Sequence, residues 1–325
     1  MTGVVVSTAD TLVEVEWNRV LDDTSGARVL IHPDGDCCET LSAVRSWRHK
    51  LVIWRDGKFV WEGPVLQALW GLGEVEIFAG DILSWLDRRT VHETRAFTRT
   101  DLTDIAQWLI EDGFAPDDPG HSVQVIGRTR IRGDRAYTVD VGQTGDHLRD
   151  LAETGLDYTA VGSTILLLPE DHGVRVGTLT DADMPEGLTV AEDGASLATR
   201  WVVHGDEDAG VKGEAGGRDD YYGLLELVVE ETSILDDSSA AAAARSRLGT
   251  TYPVPLFVDT QEVTISPEAN IDVPLLVPGW CLDIASTRTC RTVTQRLKII
   301  GVKVIEDGQG EKVQVQVAPV GASAA

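Results

Sequence analysis

Leu51-Val-Ile-Trp54-Arg55-Asp56-Gly57-Lys58-Phe59-Val60-Trp61-Glu62-Gly63-Pro64-Val65 reads as two β-strands joined by a tight turn. Apolar residues lie on both sides of Asp56-Gly57, the strongest short hairpin signal in a sequence. The second arm puts Phe59 and Trp61 on one face, and the spacing predicts that it ends at Gly63-Pro64.

The pattern extends outward from this hairpin. Leu12 to Trp17 alternates apolar and polar residues. Arg28–Ile31, Lys50–Trp54, Lys58–Trp61, Val65–Trp70 and Glu74–Phe78 follow closely, with Gly71-Leu-Gly73 as a further turn. Short strands at close spacing predict an antiparallel barrel or sandwich. A short helix is expected over Asp81–Arg88.

From about Val91 the character is α/β. Leu102, Ile105, Ala106 and Leu109 have helical spacing, with Thr100 or Asp101 as the cap. A second helix is expected from Thr144 or Gly145 to Glu153, stopped by Gly155. Leu156–Ala160 and Ser163–Pro169 read as a hairpin turning at Val161-Gly162. Strands return at Ala198–His204 and Tyr222–Val229, with Gly205–Asp220 read as a long mobile loop between them. Asp236–Leu248 is expected to be helical, its acids at the start and Arg245 and Arg247 near the end suiting the macrodipole. Glu262–Ile265, Cys281–Ile284, Lys298–Ile305 and Lys312–Val317 then alternate as strands.

The chain has 325 residues, 42% of them hydrophobic, so two or three domains with real cores are expected. The net charge is −25, from 53 acidic and 28 basic residues. That argues against binding phosphate backbones, which need clustered Lys and Arg. It is compatible with a surface past which a polyanion slides, and with simple solubility. No apolar stretch approaches the ~20 residues of a membrane helix, and the N-terminus reads as a first strand, not a signal peptide.

Candidate chemistry is sparse. The 4 Cys lack metal-ligand spacing. Cys37 and Cys38 are adjacent, and a bridge between Cys281 and Cys290 is geometrically conceivable, although reduced thiols are the default. Asp22-Asp23, Asp34/Asp36, Asp206-Glu207-Asp208, Asp219-Asp220 and Asp236-Asp237 are carboxylate pairs of the kind used in glycoside hydrolysis or calcium binding. None has EF-hand spacing, and most fall where solvated acids are ordinary. The 7 His (His32, His49, His92, His121, His147, His172 and His204) contain no HExxH pair. His32 with Cys37 and Cys38 is a candidate metal cluster, but Pro33-Asp34-Gly35 is equally a turn after a strand, which is the favoured reading. Gly210–Gly217 lacks a phosphate-cradling pattern, and Ser163 and Ser196 lack a GxSxG context. No catalytic, cofactor-binding or metal residue is assigned, and no enzyme activity is expected. Of the 9 Trp, Trp17, Trp47, Trp54, Trp61, Trp70 and Trp85 crowd the first ninety residues. For Trp54, Trp61 and Trp70, core filling or a subunit contact is favoured over sugar stacking.

The order of blocks carries a resemblance. The Arg-Asp-Gly hairpin with its Trp-Glu-Gly-Pro exit comes first. Gly142-Gln-Thr-Gly-Asp-His-Leu148 to Tyr158 follows, with the hairpin ending in Leu-Leu-Leu-Pro169. The helix Ser238–Leu248 comes next, followed by Leu275-Leu-Val-Pro278-Gly279-Trp280-Cys-Leu-Asp-Ile284 and the late strands. Together they resemble the tail hub, or baseplate hub, proteins of long-tailed bacteriophages, in style those of phages infecting actinobacteria. The resemblance implies a mainly β chain with an α/β insertion, built as two tail-tube-like β-barrels. Residues 1–92 and 196–232 would form the first barrel, 93–195 the insertion, and 233–325 a helix with the second barrel. It implies a homotrimeric ring at the distal end of the tail tube, contacting the distal tail protein, the tape measure protein and receptor-binding proteins. DNA would pass through the channel without specific binding, with Asp206, Glu207, Asp208 and Asp219 as candidate lumen acids. Such a protein is made in the host cytoplasm and resides in the virion tail tip. Because the chain stops soon after its last strand, a minimal hub is expected. A carbohydrate- or receptor-binding β module using the Trp set is the alternative, and a hydrolase using two loop carboxylates is a third.

Overall fold

The computed structural model describes residues 5, 7–8, 12–32, 40–192, 194–195, 197–205, 210–231, 234, 236–252, 256–258, 262–290 and 292–320. Strands make up 46% of the structure and helices 17%, so the protein is mainly β.

The N-terminal strands are β1 (Leu12–Val20), β2 (Gly26–Ile31), β3 (Lys50–Arg55), β4 (Lys58–Trp70) and β5 (Val75–Gly80). Asp81 caps a 3-10 helix, Ile82–Arg88, through a bond from the Leu83 amide. Next come β6 (Arg95–Asp101), α1 (Leu102–Phe114), β7 (Ser122–Val125), β8 (Arg132–Tyr137), α2 (Thr144–Ala152), β9 (Leu156–Val161), β10 (Thr164–Pro169) and β11 (Arg175–Thr180). Then β12 (Val190–Glu192), β13 (Arg200–His204), β14 (Lys212–Gly216), β15 (Glu226–Glu230), α3 (Asp237–Thr251) and β16 (Leu256–Val258) follow. The chain closes with β17 (Glu262–Ile265), a 3-10 turn at Val273–Leu275, β18 (Cys281–Ser286), β19 (Val293–Asp307) and β20 (Gly310–Pro319).

Two compact units result: residues 1–187 with 260–286 and 294–325, and residues 188–259 with 287–293. The first holds a curled, ten-stranded sheet in the order β11-β18-β19-β1-β2-β5-β4-β3, with β20 along the other side of β19 and β17 beyond it. β1 and β19 pair antiparallel from Glu14↔Asp307 to Val20↔Gly301. The period-2 reading of the sequence is visible as strict alternation along β2, where every second residue is buried. Helices α1 and α2 pack with β9 and β10 around a second core containing Leu86, Ile105, Leu109, Phe114, Leu151 and Tyr158. Asp101 is the α1 cap, accepting from the Thr103 amide at 3.0 Å.

The second unit has its own sheet, β14-β13-β15, with α3 packed on it. Gly213 makes this fit close. A Cβ there would lie 2.1 Å from the Ala240 carbonyl carbon, so only glycine lets the strand meet the helix backbone.

Three expectations need correction. The hairpin does not exit at Gly63-Pro64, because β4 runs unbroken through both residues for 13 residues. Its first half pairs with β3 as far as Lys50↔Pro64, and its second half pairs with β5 from Val65↔Ala79. Pro64 sits at this handover, where a missing N–H breaks neither ladder. Gly63 is required by proximity, since a Cβ would fall 1.8 Å from the Gly80 carbonyl oxygen. The loop expected over Gly205–Asp220 contains β14, which pairs with β13 from Arg200↔Gly216 to His204↔Lys212. Its Lys-Gly-Glu-Ala-Gly sequence carries no strand propensity, and its partners impose the conformation. Finally, the sequence pattern announces none of β6, β7, β8, β11, β12 and β16, which are short or polar in composition.

Candidate functional site

The turn between β1 and β2 fastens the α/β layer to the sheet, and each residue from Asp22 to Ser25 has a separate partner. The Asp22 amide donates to the Tyr158 carbonyl at 2.8 Å, and the Tyr158 amide donates back to Asp22 Oδ1 at 2.8 Å. The Tyr158 hydroxyl donates to the Asp22 carbonyl at 2.6 Å. Asp22 holds φ +63°, the left-handed region that Asp tolerates better than most residues. Asp23 meets Arg149 Nη1 at 3.2 Å, and Arg149 also bridges Asp87 and Asp146 at 3.0 and 2.7 Å. Thr24 donates to Asp87, and the Ser25 amide donates to Asp81 at 2.9 Å.

Beside this turn lies the only ion pair among the described residues with both side chains almost wholly buried. Lys298 Nζ on β19 meets Asp157 Oδ2 on β9 at 2.9 Å and donates to the Glu170 carbonyl at 3.3 Å. Burial, with Asp157 nearby, pushes the Asp22 carboxyl up to about 7, against the Tyr158 amide and Lys298. Burial also pushes Asp81 up to about 7, against the Ser25 and Leu83 bonds. Arg19 is buried with no carboxylate partner among the described residues and donates to the carbonyls of Val60, Pro274 and Leu276. These buried charges join one element to another, and none converges on an open cavity.

The residues flagged from sequence scatter. Asp34, Asp36, Cys37, Cys38, Ser196, Asp206, Glu207 and Asp208 lie outside the described residues, which leaves three of the four candidate lumen acids without a position. The fourth, Asp219, accepts from the Tyr252 hydroxyl at 2.6 Å and from the Tyr221 and Tyr222 amides, which hold its carboxyl below the usual range. It shapes a turn. Asp237 is the acid in the first turn of α3 and accepts from the Lys212 amide of β14. His32 contacts the Gly73 carbonyl, and His204 is the exposed end of β13. Cys281 and Cys290 are both free thiols, one buried and one exposed, so they form no bridge. Among the described residues no three His, Cys, Asp or Glu side chains group as metal ligands. No helix among them is long and apolar enough to cross a membrane. A groove of about 670 Å³ is lined by Ile126, Val161, Leu166, Val277 and Trp280, with Arg175 as its charged member.

The Trp set divides. Trp17 and Trp61 are core residues, and Trp61 Nε1 donates to the Asn18 carbonyl at 3.1 Å. Trp54 is 63% exposed and Trp70 53% exposed, so core filling does not explain either. With Val52, Leu69 and Leu72 they leave apolar surface along β3 and around the β4–β5 turn. A second exposed apolar strip contains Tyr221, Leu224, Leu225, Leu227 and Val228 on and before β15. Patches of this kind mark interaction surfaces in soluble proteins. β3 and β15 are also edge strands, each with one paired neighbour among the described residues.

No model of a known family and no curated protein sequence matches the chain. Solved structures do. The 43 kDa tail protein of prophage MuSo2 from Shewanella oneidensis superposes with a TM-score of 0.60 at 13% identity, covering 96% of this chain and 95% of that one. A tail protein from Neisseria meningitidis MC58 gives 0.57 at 12% identity, covering 94% and 92%. The E. coli c3393 protein, a type VI secretion component with structural similarity to the T4 bacteriophage tail proteins gp27 and gp5, gives 0.54 at 11% identity, covering 97% and 76%. The chain therefore has the fold of phage tail proteins and their secretion-system counterparts, along nearly its whole length.

Proposed function

We propose that this chain is a structural protein of a phage tail tip: a homotrimeric hub that continues the tail tube and anchors neighbouring tail-tip proteins. The observation that carries the reading is the end-to-end match to a tail protein, 96% of one chain against 95% of the other. In this reading 1–92 with 196–232, 93–195 and 233–325 are the first barrel, the insertion and the second barrel. The β1–β19 pairing then gives the two tube-like halves a shared sheet. The distal tail protein, the tape measure protein and receptor-binding proteins are the proposed neighbours. DNA passes a channel kept non-adhesive by the acidic balance of −25. The work is mechanical and no reaction is assigned.

The test is the symmetry of the purified chain and of tail tips containing it, by mass photometry and cryo-electron microscopy. A ring of three copies is expected, and a chain absent from the tail tip sinks the reading. A carbohydrate- or receptor-binding module is the second reading, favoured by the exposure of Trp54 and Trp70. It requires glycan binding that Trp54→Ala or Trp70→Ala abolishes.

A further inference from the structure

We infer that β3 of one copy pairs with β15 of the next copy, so that a basic, apolar edge meets an acidic, apolar edge. The inference rests on the hub reading for its ring and adds to it the two surfaces that join.

The two edges are opposite in charge. Residues 45–58 contain Arg45, Arg48, Lys50, Arg55 and Lys58 against one acid, Asp56, in a chain whose net charge is −25. Residues 219–237 contain seven acids, Asp219, Asp220, Glu226, Glu230, Glu231, Asp236 and Asp237, and no Lys or Arg. Some of these charges are already paired within the chain: Arg55 with Glu311, Lys50 with Glu62, Lys58 with Asp272, Glu226 with Arg200 and Glu231 with Arg247. Arg45, Arg48 and Glu230 have no ion-pair partner among the described residues. Complementary potentials favour encounter of the two edges and disfavour either edge meeting its own copy.

The apolar residues agree. Val52, 41% exposed, stands midway along β3, and Val228, 62% exposed, is the central residue of β15. Setting Lys50 opposite a terminal glutamate of β15 puts Val52 opposite Val228 in both strand directions. Antiparallel, the pairs are Lys50 with Glu230 and Trp54 with Glu226. Parallel, they are Lys50 with Glu226 and Trp54 with Glu230. Side chains alternate with period two, so Lys50, Val52 and Trp54 share a face, as do Glu226, Val228 and Glu230. Adding a strand supplies backbone bonds to both open edges and covers exposed apolar groups. Because the two surfaces differ, the contact is heterologous and generates a ring when the rotation closes.

Full-length Val52→Cys and Val228→Cys variants, each checked by circular dichroism, are mixed and mildly oxidised, and disulfides are mapped by mass spectrometry. Linkage of position 52 to position 228 is expected in the mixture, at least tenfold above either variant alone. Association should weaken severalfold between 0.05 and 0.5 M salt, because such attraction is screened. Val228→Asp should abolish it without loss of fold. Oligomers that form without the 52–228 linkage overturn this pairing and leave the hub reading intact. Linkage of position 228 to itself overturns the charge argument. A monomer at every concentration, without linkage, overturns both.

Discussion

The ten-stranded sheet and the unit at 188–259 differ in how much apolar area they bury beside what they expose. In the sheet, Val15, Trp17, Val29, Ile31, Ile77 and Trp61 point inward and are buried. The turn at Asp22–Ser25 then ties the α/β layer on with hydrogen bonds and ion pairs. In the smaller unit the buried cluster is Val203, Val211, Ala240 and Ala244, while Leu224, Leu225, Leu227 and Val228 are exposed. The helix stripe is Ala240 and Ala244, small residues that allow close approach but bury little area. Both units expose apolar residues at an edge strand, but the larger sets them beside an extensive core, whereas the smaller buries little apolar area against what it exposes.

The largest effect is expected at the buried pair. Lys298→Ala strands the Asp157 carboxylate and should cost about 3–5 kcal/mol of unfolding free energy. Lys298→Met with Asp157→Leu should recover most of that. Chemical denaturation measures both, and a Lys298→Ala loss below about 1 kcal/mol would remove the pair from the account of what fastens the layer. The hairpin supplies an internal control. Trp61→Ala should cost about 3–5 kcal/mol because it empties a core site. Trp54→Ala should cost less than about 0.5 kcal/mol, as for ordinary surface positions. Equal losses at the two Trp would erase the distinction between inward and outward apolar residues on which the comparison stands.

A smaller, local effect is expected at Gly213. Gly213→Ala drives a methyl group into the α3 backbone and should cost about 1–3 kcal/mol. Hydrogen exchange should accelerate over 200–204 and 212–216 and remain slow over 26–31. Acceleration of both regions together would show the two units unfolding as one.

This contrast also sets what could be read in the sequence. β1, β2, β5, β9, β10 and the two strands ending the chain alternate or run apolar, and burial follows that pattern. The α1 helix and its Asp101 cap were legible for the same reason. β14 was not, because glycine at 213 serves a tertiary contact that local propensity opposes. The continuity of β4 was hidden because Gly63-Pro64 reads as a break, when the strand there exchanges one neighbour for another. The candidate surfaces were half legible. The Trp cluster stood out, but burial of Trp61 and exposure of Trp54 depend on which strand lies at the sheet edge. The Asp22–Tyr158 lock spans 136 residues, and no local spacing announces it.

The remaining effect is a pH dependence at that lock. The Asp22 carboxyl is raised from 3.8 to about 7, first by burial and then by Asp157. The folded protein therefore holds a proton there that the unfolded chain has released, between pH 3.8 and about 7. Within that window the unfolded state binds fewer protons, so stability falls as pH rises, and the loss is complete above about 7. Asp22→Asn keeps an oxygen to accept from the Tyr158 amide but cannot ionise. Its melting temperature should therefore change less than the parent's between pH 5 and 8, and should exceed the parent's at pH 8. Parallel melting curves across that range would mean that solvent reaches Asp22 and that the turn holds the layer by geometry alone.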